Sequence, residues 1–309
     1  GIDRFREDVE NHKYKLAQGI PPLLDLIGEK LKVENGIELD PKDRVFVTAG
    51  ANMAFLNAIL AIADIGDEII LPAPFYFNHE MAVTMLGCNP VVVPTDSNHQ
   101  LDLDAMRSAI TKRTRAIVTT SPNNPSGAVY PEEDLRAVTA LCREFGLFHI
   151  SDEAYEYFTF DGASHFSPGS AKDADEHVIS LFSLSKAYGF ASWRIGYMAT
   201  PPQLIDAVKK IQDTNLICPP VVSQFAALEA IRTGRAYCEE KLAEVQNVRN
   251  LVMERLAGWE EFATTAPAKG AFYFLLKIKT DLKSLSVAQR LIEEYKVAVI
   301  PGSAFGLTK

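Results

Sequence analysis

The sequence has few cysteines, no long apolar run and no excess of positive charge. Its four cysteines are scattered without a C-x-x-C pair, so we expect reduced, buried thiols rather than a disulfide framework. No apolar stretch approaches the roughly 18 residues that a membrane-spanning helix needs, and the residues after Gly1 do not resemble a signal peptide. We therefore expect a cytoplasmic protein without a membrane partner.

The net charge of −9 disfavours nucleic acid and anionic membrane surfaces as general partners. A local basic pocket for a phosphate group is still compatible with this charge. The 309 residues are 47% hydrophobic and 23% charged, which is ordinary for a globular chain. This length suggests about two domains.

Short apolar runs rich in β-branched residues alternate with amphipathic stretches in the first part of the chain. Strands are predicted over residues 68–71, 90–94, 115–120, 147–151 and 178–182. Helices are predicted between them, with 103–110 and 131–145 as examples. Strands that alternate with helices indicate an α/β fold with a mainly parallel sheet covered on both faces.

Helical patterns dominate after about residue 199. They cover residues 202–212, 221–232, 236–256 and 286–295, and short strands are predicted over 270–278 and 297–300. We therefore expect three regions: a large α/β domain over 30–200, connecting helices over 201–235, and a smaller α+β domain over 236–309, with residues 1–29 as an interface segment.

The most informative segment follows the fifth predicted strand and runs from Ser183 to Gly196. Lys186 stands at the carboxyl end of this strand, where α/β sheets bind ligands, and Arg194 follows eight positions later. Ser183 and Arg194 could hold a phosphate, the arginine through a forked, charge-assisted contact. For an isolated lysine, a plain surface position beside a surface arginine is the ordinary alternative.

This segment resembles the Schiff-base signature of the class I/II aminotransferases, which have fold type I of the pyridoxal 5'-phosphate (PLP) enzymes. The resemblance implies that Lys186 carries PLP as a Schiff base and acts as the catalytic base, and that Ser183 and Arg194 bind the cofactor phosphate. It also implies a large domain with a sheet of the seven-stranded type and a smaller α+β domain. Burial and nearby positive charge can lower the pKa of such a lysine toward roughly 7–8.

Two further segments match motifs that hold the cofactor ring in this family. The residues from Asp152 to Tyr155 match D-x-A-Y, which implies that Asp152 pairs with the ring nitrogen and Tyr155 with the phenolic oxygen. The turn over 121–127 resembles the N-P-T/S-G loop, which assigns Asn124 to the same oxygen. Taken alone, Asp152 could equally cap a helix or turn, and the second segment could be a simple turn.

Three weaker matches complete the expected site. Gly50 precedes an apolar helix whose free N–H groups could cradle a phosphate, and the resemblance assigns Ala51 and Asn52 to it. Tyr76 is expected to stack on the pyridine face, whereas His79 is expected to be a structural hydrogen-bonding residue. Tyr14 resembles a tyrosine that reaches the partner's cofactor phosphate, which implies a homodimer with a composite active site; a partly buried tyrosine is the alternative.

The resemblance covers nearly the whole chain, because residues 268–273 and 299–306 resemble the family's G-A-F-Y segment and P-G-x-x-F-G loop. Two features depart from the family pattern. Little sequence precedes Tyr14 to cover a substrate, and no arginine follows Pro301 to bind the substrate's α-carboxylate. From the second departure we predict that the natural chain continues past Lys309 and supplies this arginine.

The resemblance implies reversible transfer of an amino group between an L-amino acid and a 2-oxo acid, in two ping-pong half-reactions. We expect aspartate or an aromatic amino acid as the donor and 2-oxoglutarate as the acceptor. A carbon–sulfur lyase on the same fold stays an open alternative. A PLP-sensing transcription regulator would carry a basic winged-helix domain, which is not visible here, and the full set of cofactor residues disfavours an inactive relative.

Overall fold

The computed structural model describes residues 1–307, and its central element is a seven-stranded sheet. The strands are β1 Val45–Thr48, β2 Glu68–Pro72, β3 Asn89–Val93, β4 Thr114–Thr120, β5 Phe148–Asp152, β6 Val178–Ser183 and β7 Gly196–Ala199. Their order across the sheet is β1-β7-β6-β5-β4-β2-β3. Only β7 runs antiparallel to the other six strands, so the predicted, mainly parallel sheet is confirmed.

Ten α-helices surround and extend this sheet within the described residues. They are α1 Ile2–Glu7, α2 Pro21–Asn35, α3 Pro41–Arg44, α4 Ala51–Ile62, α5 Phe77–Met85, α6 Leu103–Ala109, α7 Glu132–Phe145, α8 Ile205–Asn215, α9 Val221–Leu256 and α10 Ser284–Tyr295. None of them is both long and apolar enough to cross a membrane.

The sheet is buried on both faces because successive residues of a strand point to opposite sides. In β1, Val45 and Val47 pack with Leu24 of α2, whereas Phe46 packs in the cluster that contains Phe55 of α4. This double burial explains why the strands appear in the sequence as continuous apolar runs rather than as alternating patterns. All four cysteines are free, as expected from their spacing.

After the sheet, the two helices predicted over 221–232 and 236–256 are confirmed as the two parts of α9. They are separated at Gly234, whose φ of 72° and ψ of −176° are not helical. A 3-10 turn, Pro202–Leu204, precedes α8 where a continuous helix was expected.

Two predicted strands of the smaller region were also wrong in extent or existence. The strand expected over 270–278 is limited to β9, Leu276–Ile278, which pairs antiparallel with β8, Ala263–Thr265. The reason is that Gly270 and Ala271 donate hydrogen bonds to loops of the large sheet region instead. Residues 297–300 form no strand, since no described neighbouring strand pairs with them.

The division into three regions stays a prediction, and the last two residues of its 236–309 region lie outside the described residues.

Candidate active site

A cavity of about 540 Å³ opens at the carboxyl ends of β4, β5 and β6. Nine of the ten predicted site residues line it: Ala51, Asn52, Tyr76, Asn124, Asp152, Tyr155, Ser183, Lys186 and Arg194. The tenth, Tyr14, is 78% exposed and does not line the cavity. The arginine predicted to follow Lys309 lies outside the described residues.

Parallel pairing brings these residues together, because the carboxyl ends of parallel strands meet at one edge of the sheet. Thr120 at the end of β4 is in register with Asp152 at the end of β5. Ser183 ends β6 and is paired with Gly196, the first residue of the antiparallel β7. The turn between β6 and β7 therefore carries both Lys186 and Arg194 to the same edge.

Lys186 lies in this turn with its Nζ atom near two aromatic rings. The atom is 5.9 Å from the ring centroid of Tyr155 and 5.6 Å from that of Phe272. Burial first, and then the positive charge of Arg194, lower the pKa of the Lys186 ammonium. A larger fraction of neutral amine at physiological pH makes this side chain a better nucleophile and base.

Asp152 is the last residue of β5 and is 5% exposed. Its Oδ1 accepts a hydrogen bond from the backbone N–H of Ala154 at 3.1 Å, and its Oδ2 lies 3.0 Å from Nε2 of His79. The His79 ring is stacked on Phe55 with centroids 4.1 Å apart. A buried carboxylate held in this way presents a fixed negative charge to the cavity.

His79 was predicted to be structural, and its contact with Asp152 is a positioning role that sequence analysis did not identify. Tyr76 and His79 are three residues apart at the start of α5, so both fall on one side of the helix. This three-residue spacing is the sequence feature that could have placed His79 at the site. The two rings meet edge to face with centroids 5.3 Å apart.

The start of α4 lies beside Arg194 at the cavity wall, and both present hydrogen-bond donors there. The N-cap residue Gly50 has a φ of 84° and supplies no side-chain cap, so the first N–H groups of this twelve-residue helix are free. Nη1 and Nη2 of Arg194 donate to the carbonyl oxygens of Ala191 and Ala49 at 2.8 and 3.3 Å. The φ of 84° at Gly50 is a conformation that residues with side chains rarely adopt, which favours glycine here; a Cβ would also displace Nη2 of Arg194.

The hydroxyl of Tyr155 is the centre of a second polar group. Nδ2 of Asn124 donates to it at 3.3 Å, and the hydroxyl of Tyr273 lies 2.7 Å away. Burial raises the pKa of both tyrosines, so both keep their protons at neutral pH. Tyr273 also lines the cavity; its sequence motif indicates the segment but no role for this side chain.

The two acids that follow Asp152 belong to a buried ionic network that does not line the cavity. Oε2 of Glu156 lies 2.5 Å from Nζ of Lys30, and both side chains are less than 10% exposed. Oε2 of Glu153 accepts from the hydroxyl of Ser167 and lies 2.9 Å from Nε2 of His165. These contacts anchor the turn that carries Asp152.

The remaining wall of the cavity is mainly apolar. It includes Phe77, Phe274, Leu275, Val299, Ile300 and Phe305. Among the described residues that line the cavity, Lys186 and Arg194 are the only cationic side chains.

Comparison with known proteins agrees with this geometry. A family model described as Aminotransferase class I and II matches residues 2–309. The chain is 38% identical to an aspartate aminotransferase of Pyrococcus abyssi over 293 residues, which cover 93% of this chain and 75% of the relative. It is 36% identical to aromatic-amino-acid aminotransferase 2 of Thermococcus litoralis, with the same coverage.

Solved structures show the same similarity in three dimensions. An aromatic aminotransferase from Pyrococcus horikoshii superposes with a TM-score of 0.92 and 37% identity, covering 99% of this chain and 84% of that one. The aspartate aminotransferase from Thermus thermophilus with maleate gives a TM-score of 0.90 and 34% identity, covering 99% and 80%. With its fold, the family model and these relatives in agreement, the chain belongs to the class I and II aminotransferases and is an aminotransferase.

Proposed function

We propose that this aminotransferase uses PLP, held in the 540 Å³ cavity with Lys186 as its covalent anchor and catalytic base. The observation that carries the proposal is the convergence of nine residues, from five separate stretches of sequence, on one cavity that contains an amine of lowered pKa. Each of these residues supplies a group that one part of PLP requires.

The residues present fit the charges of the cofactor. The free N–H groups at the start of α4, together with Ser183 and Arg194, would hold the dianionic phosphate. The buried carboxylate of Asp152 would pair with a protonated ring nitrogen, and Tyr155 with Asn124 would meet the phenolic oxygen. Nη2 of Arg194 lies so close to Gly50 that a Cβ there would displace it, which supports a shared anion site at this wall.

When bound, PLP supplies an aldehyde that condenses with amines and a ring that withdraws electrons from the substrate's Cα. The chain's own residues do the rest. Asp152, oriented by His79 and by the N–H of Ala154, would pair its carboxylate with a protonated ring nitrogen. Lys186 in its neutral form accepts the proton from the substrate's Cα at Nζ and returns it in the reverse direction.

We further propose an amino donor with an aromatic or large apolar side chain in preference to aspartate. Six apolar residues form the wall beyond the cofactor residues, and only Lys186 and Arg194 are cationic among the described lining residues. Both cations are engaged by the cofactor in this proposal. The apolar wall favours burial of an aromatic or large apolar side chain over that of a second, hydrated carboxylate.

A panel of amino donors with 2-oxoglutarate as the acceptor tests this proposal. We expect phenylalanine and tyrosine to give a kcat/KM at least about 10-fold above that of aspartate, which corresponds to roughly 1.4 kcal/mol. Phenylpyruvate should also serve as an acceptor. A preference for aspartate would contradict the donor assignment without affecting the proposed cofactor.

The same assays separate transamination from the carbon–sulfur lyase alternative. A lyase would release ammonia and pyruvate from cystathionine without any 2-oxo acid acceptor. An aminotransferase requires the acceptor. It converts the acceptor to an amino acid in the same amount as it converts the donor to an oxo acid. We expect the second result.

A homodimer in which Tyr14 completes the partner's site is also part of the proposal. The 78% exposure of Tyr14 in a single chain is compatible with a contact to a second copy. The cytoplasmic location stays a prediction.

A further inference from the structure

We propose that Tyr273 is a positioning residue that donates its hydroxyl proton to Tyr155 and so directs the Tyr155 proton into the cavity. This inference rests on the proposed function, because the acceptor in the cavity would be the phenolic oxygen of the cofactor. Tyr273 lies in the segment after α9, far from Tyr155 along the chain.

The backbone holds the Tyr273 segment firmly against the loops of the site. The N–H of Gly270 donates to the carbonyl of Gly127 at 2.8 Å, and that of Ala271 donates to the carbonyl of Phe158 at 2.9 Å. A Cβ at Gly270 would lie 2.6 Å from the side chain of Pro122, so the segments could not approach this closely with another residue. These backbone contacts of Gly270 and Ala271 therefore fix the position of the neighbouring Tyr273.

Ring packing restricts the two tyrosines further. The rings of Tyr155 and Tyr273 meet edge to face at 82° with centroids 5.6 Å apart, and Phe272 meets Tyr155 at 76°. Such T-shaped contacts are favourable for aromatic pairs. The hydroxyl pair at 2.7 Å is thus held by its surroundings on both sides.

Counting donors and acceptors at the Tyr155 oxygen gives the direction of the bonds. A tyrosine hydroxyl has one proton to donate and can accept hydrogen bonds on its oxygen. Asn124 can only donate through Nδ2, so it uses one acceptor position of Tyr155. If Tyr155 donated to Tyr273, its only proton would be consumed and the cavity would receive no donor from it.

If Tyr273 instead donates to Tyr155, the hydrogen-bonding needs of every group are satisfied. Tyr273 has no hydrogen-bond partner other than Tyr155 among the described residues, so its proton is available for Tyr155. Tyr155 then accepts from Asn124 and Tyr273 and has its own proton free for an anionic oxygen in the cavity. Donation to Tyr155 also makes it a stronger donor, since linked hydrogen bonds polarise each other.

Replacement of Tyr273 by Phe in the PLP-loaded enzyme tests this inference by spectroscopy. The visible absorbance of the bound cofactor would be titrated with pH. Loss of the Tyr273 donor weakens Tyr155 as a donor, so the anionic oxygen becomes more basic and the midpoint should rise by about half a pH unit or more. Tyr130→Phe is the matched control, because it removes another buried hydroxyl that lies outside the main cavity.

A double-mutant cycle distinguishes positioning from a general structural effect. Tyr155→Phe alone should raise the midpoint by more than Tyr273→Phe does. If Tyr273 acts through Tyr155, adding Tyr273→Phe to Tyr155→Phe should produce no further shift. Additive shifts, or a Tyr273→Phe midpoint equal to the parent's, would overturn the inference.

The proposed function has its own separate outcome in this experiment. A parent protein that shows no cofactor absorbance would overturn the cofactor proposal and this inference together. A parent with normal absorbance and a Tyr273→Phe variant with an unchanged midpoint would overturn only the role of Tyr273.

Discussion

Lys186 combines access to the cavity with a pKa lowered by burial and by Arg194. We predict that Lys186→Ala abolishes transamination, with a loss of at least about 10³-fold, because no other described lysine lines the cavity. The absorbance of covalently held cofactor should disappear as well. The exposed Lys209 offers a control, and Lys209→Ala should retain both properties; a Lys186→Ala variant with near-parental rates would refute the assignment.

The Asp152 carboxylate is expected to act by charge rather than by shape. Asp152→Asn preserves the size of the side chain and removes the negative charge, so PLP should still bind. Proton removal from the substrate's Cα should slow by on the order of 10²-fold or more. Single-turnover absorbance measures this step, with the exposed Asp173 replaced by Asn as control. An unchanged single-turnover rate would show that the charge is not needed.

At the scale of elements, His149 links β5 to its neighbours. Its ring lies between the hydroxyls of Thr119 in β4 and Thr139 in α7, at 2.8 and 2.9 Å. Complete burial lowers the pKa of His149 to about 3. The histidine is therefore neutral in the folded protein, whereas the unfolded chain takes up a proton below a pH of about 6.5.

This difference predicts an acid-dependent loss of stability. As the pH falls from about 6.5 toward 3, only the unfolded state gains the proton, so the free energy of unfolding decreases by up to about 1.4 kcal/mol per pH unit. Between pH 7 and pH 5, measured by urea unfolding, the free energy of unfolding should fall by about 2 kcal/mol less in His149→Gln than in the parent. The exposed His12→Gln should keep the parental pH dependence, and equal slopes in all three proteins would contradict the prediction.

The pair formed by Lys30 of α2 and Glu156 of the turn after β5 also acts between elements. Glu156→Gln would keep an amide oxygen near Lys30 but remove the negative charge, so the buried ammonium would have no counter-ion. We expect a loss of about 3–5 kcal/mol in the free energy of unfolding, the range for breaking a buried pair.

The double variant Lys30→Met with Glu156→Leu provides the matched control for this pair. It removes both charges and should recover much of the loss, since apolar replacements of buried pairs are often neutral. Urea unfolding of the three proteins measures the effect. A Glu156→Gln variant as stable as the parent would show that the pair contributes little.

At the scale of the whole molecule, the proposed composite site predicts recovery of activity in mixed dimers. Lys186→Ala subunits would be combined with subunits carrying Tyr14→Ala. If Tyr14 serves the partner's site, the hybrid has one site with both residues intact and one with neither. Activity should therefore rise above the sum of the two separate variants.

Purified hybrids, separated by two different affinity tags, allow this measurement at a known subunit ratio. The unmixed variants, dissociated and reassembled in the same way, are the control. If Tyr14 serves its own subunit, no site in the hybrid is complete and the activity should not rise.

The sequence alone determined the fold class, because strands buried on both faces must be apolar runs and crossover helices must separate parallel strands. It also indicated the chemistry, since the residues around Lys186, Asp152 and Asn124 are local motifs whose spacing is visible along the chain. The strands β1 and β7 were not recognised. Each has only four residues, which is too short for a periodic pattern.

Only the tertiary structure decided which distant side chains meet. Tyr155 and Tyr273 are 118 residues apart, and their contact depends on the backbone hydrogen bond from Gly270 to Gly127. His79 reaches Asp152 only because β5 and α5 converge at one edge of the sheet. Residues 297–300 have the composition of a strand, but a strand forms only where a neighbour supplies hydrogen bonds, and backbone pairing of that kind is a property of the folded chain.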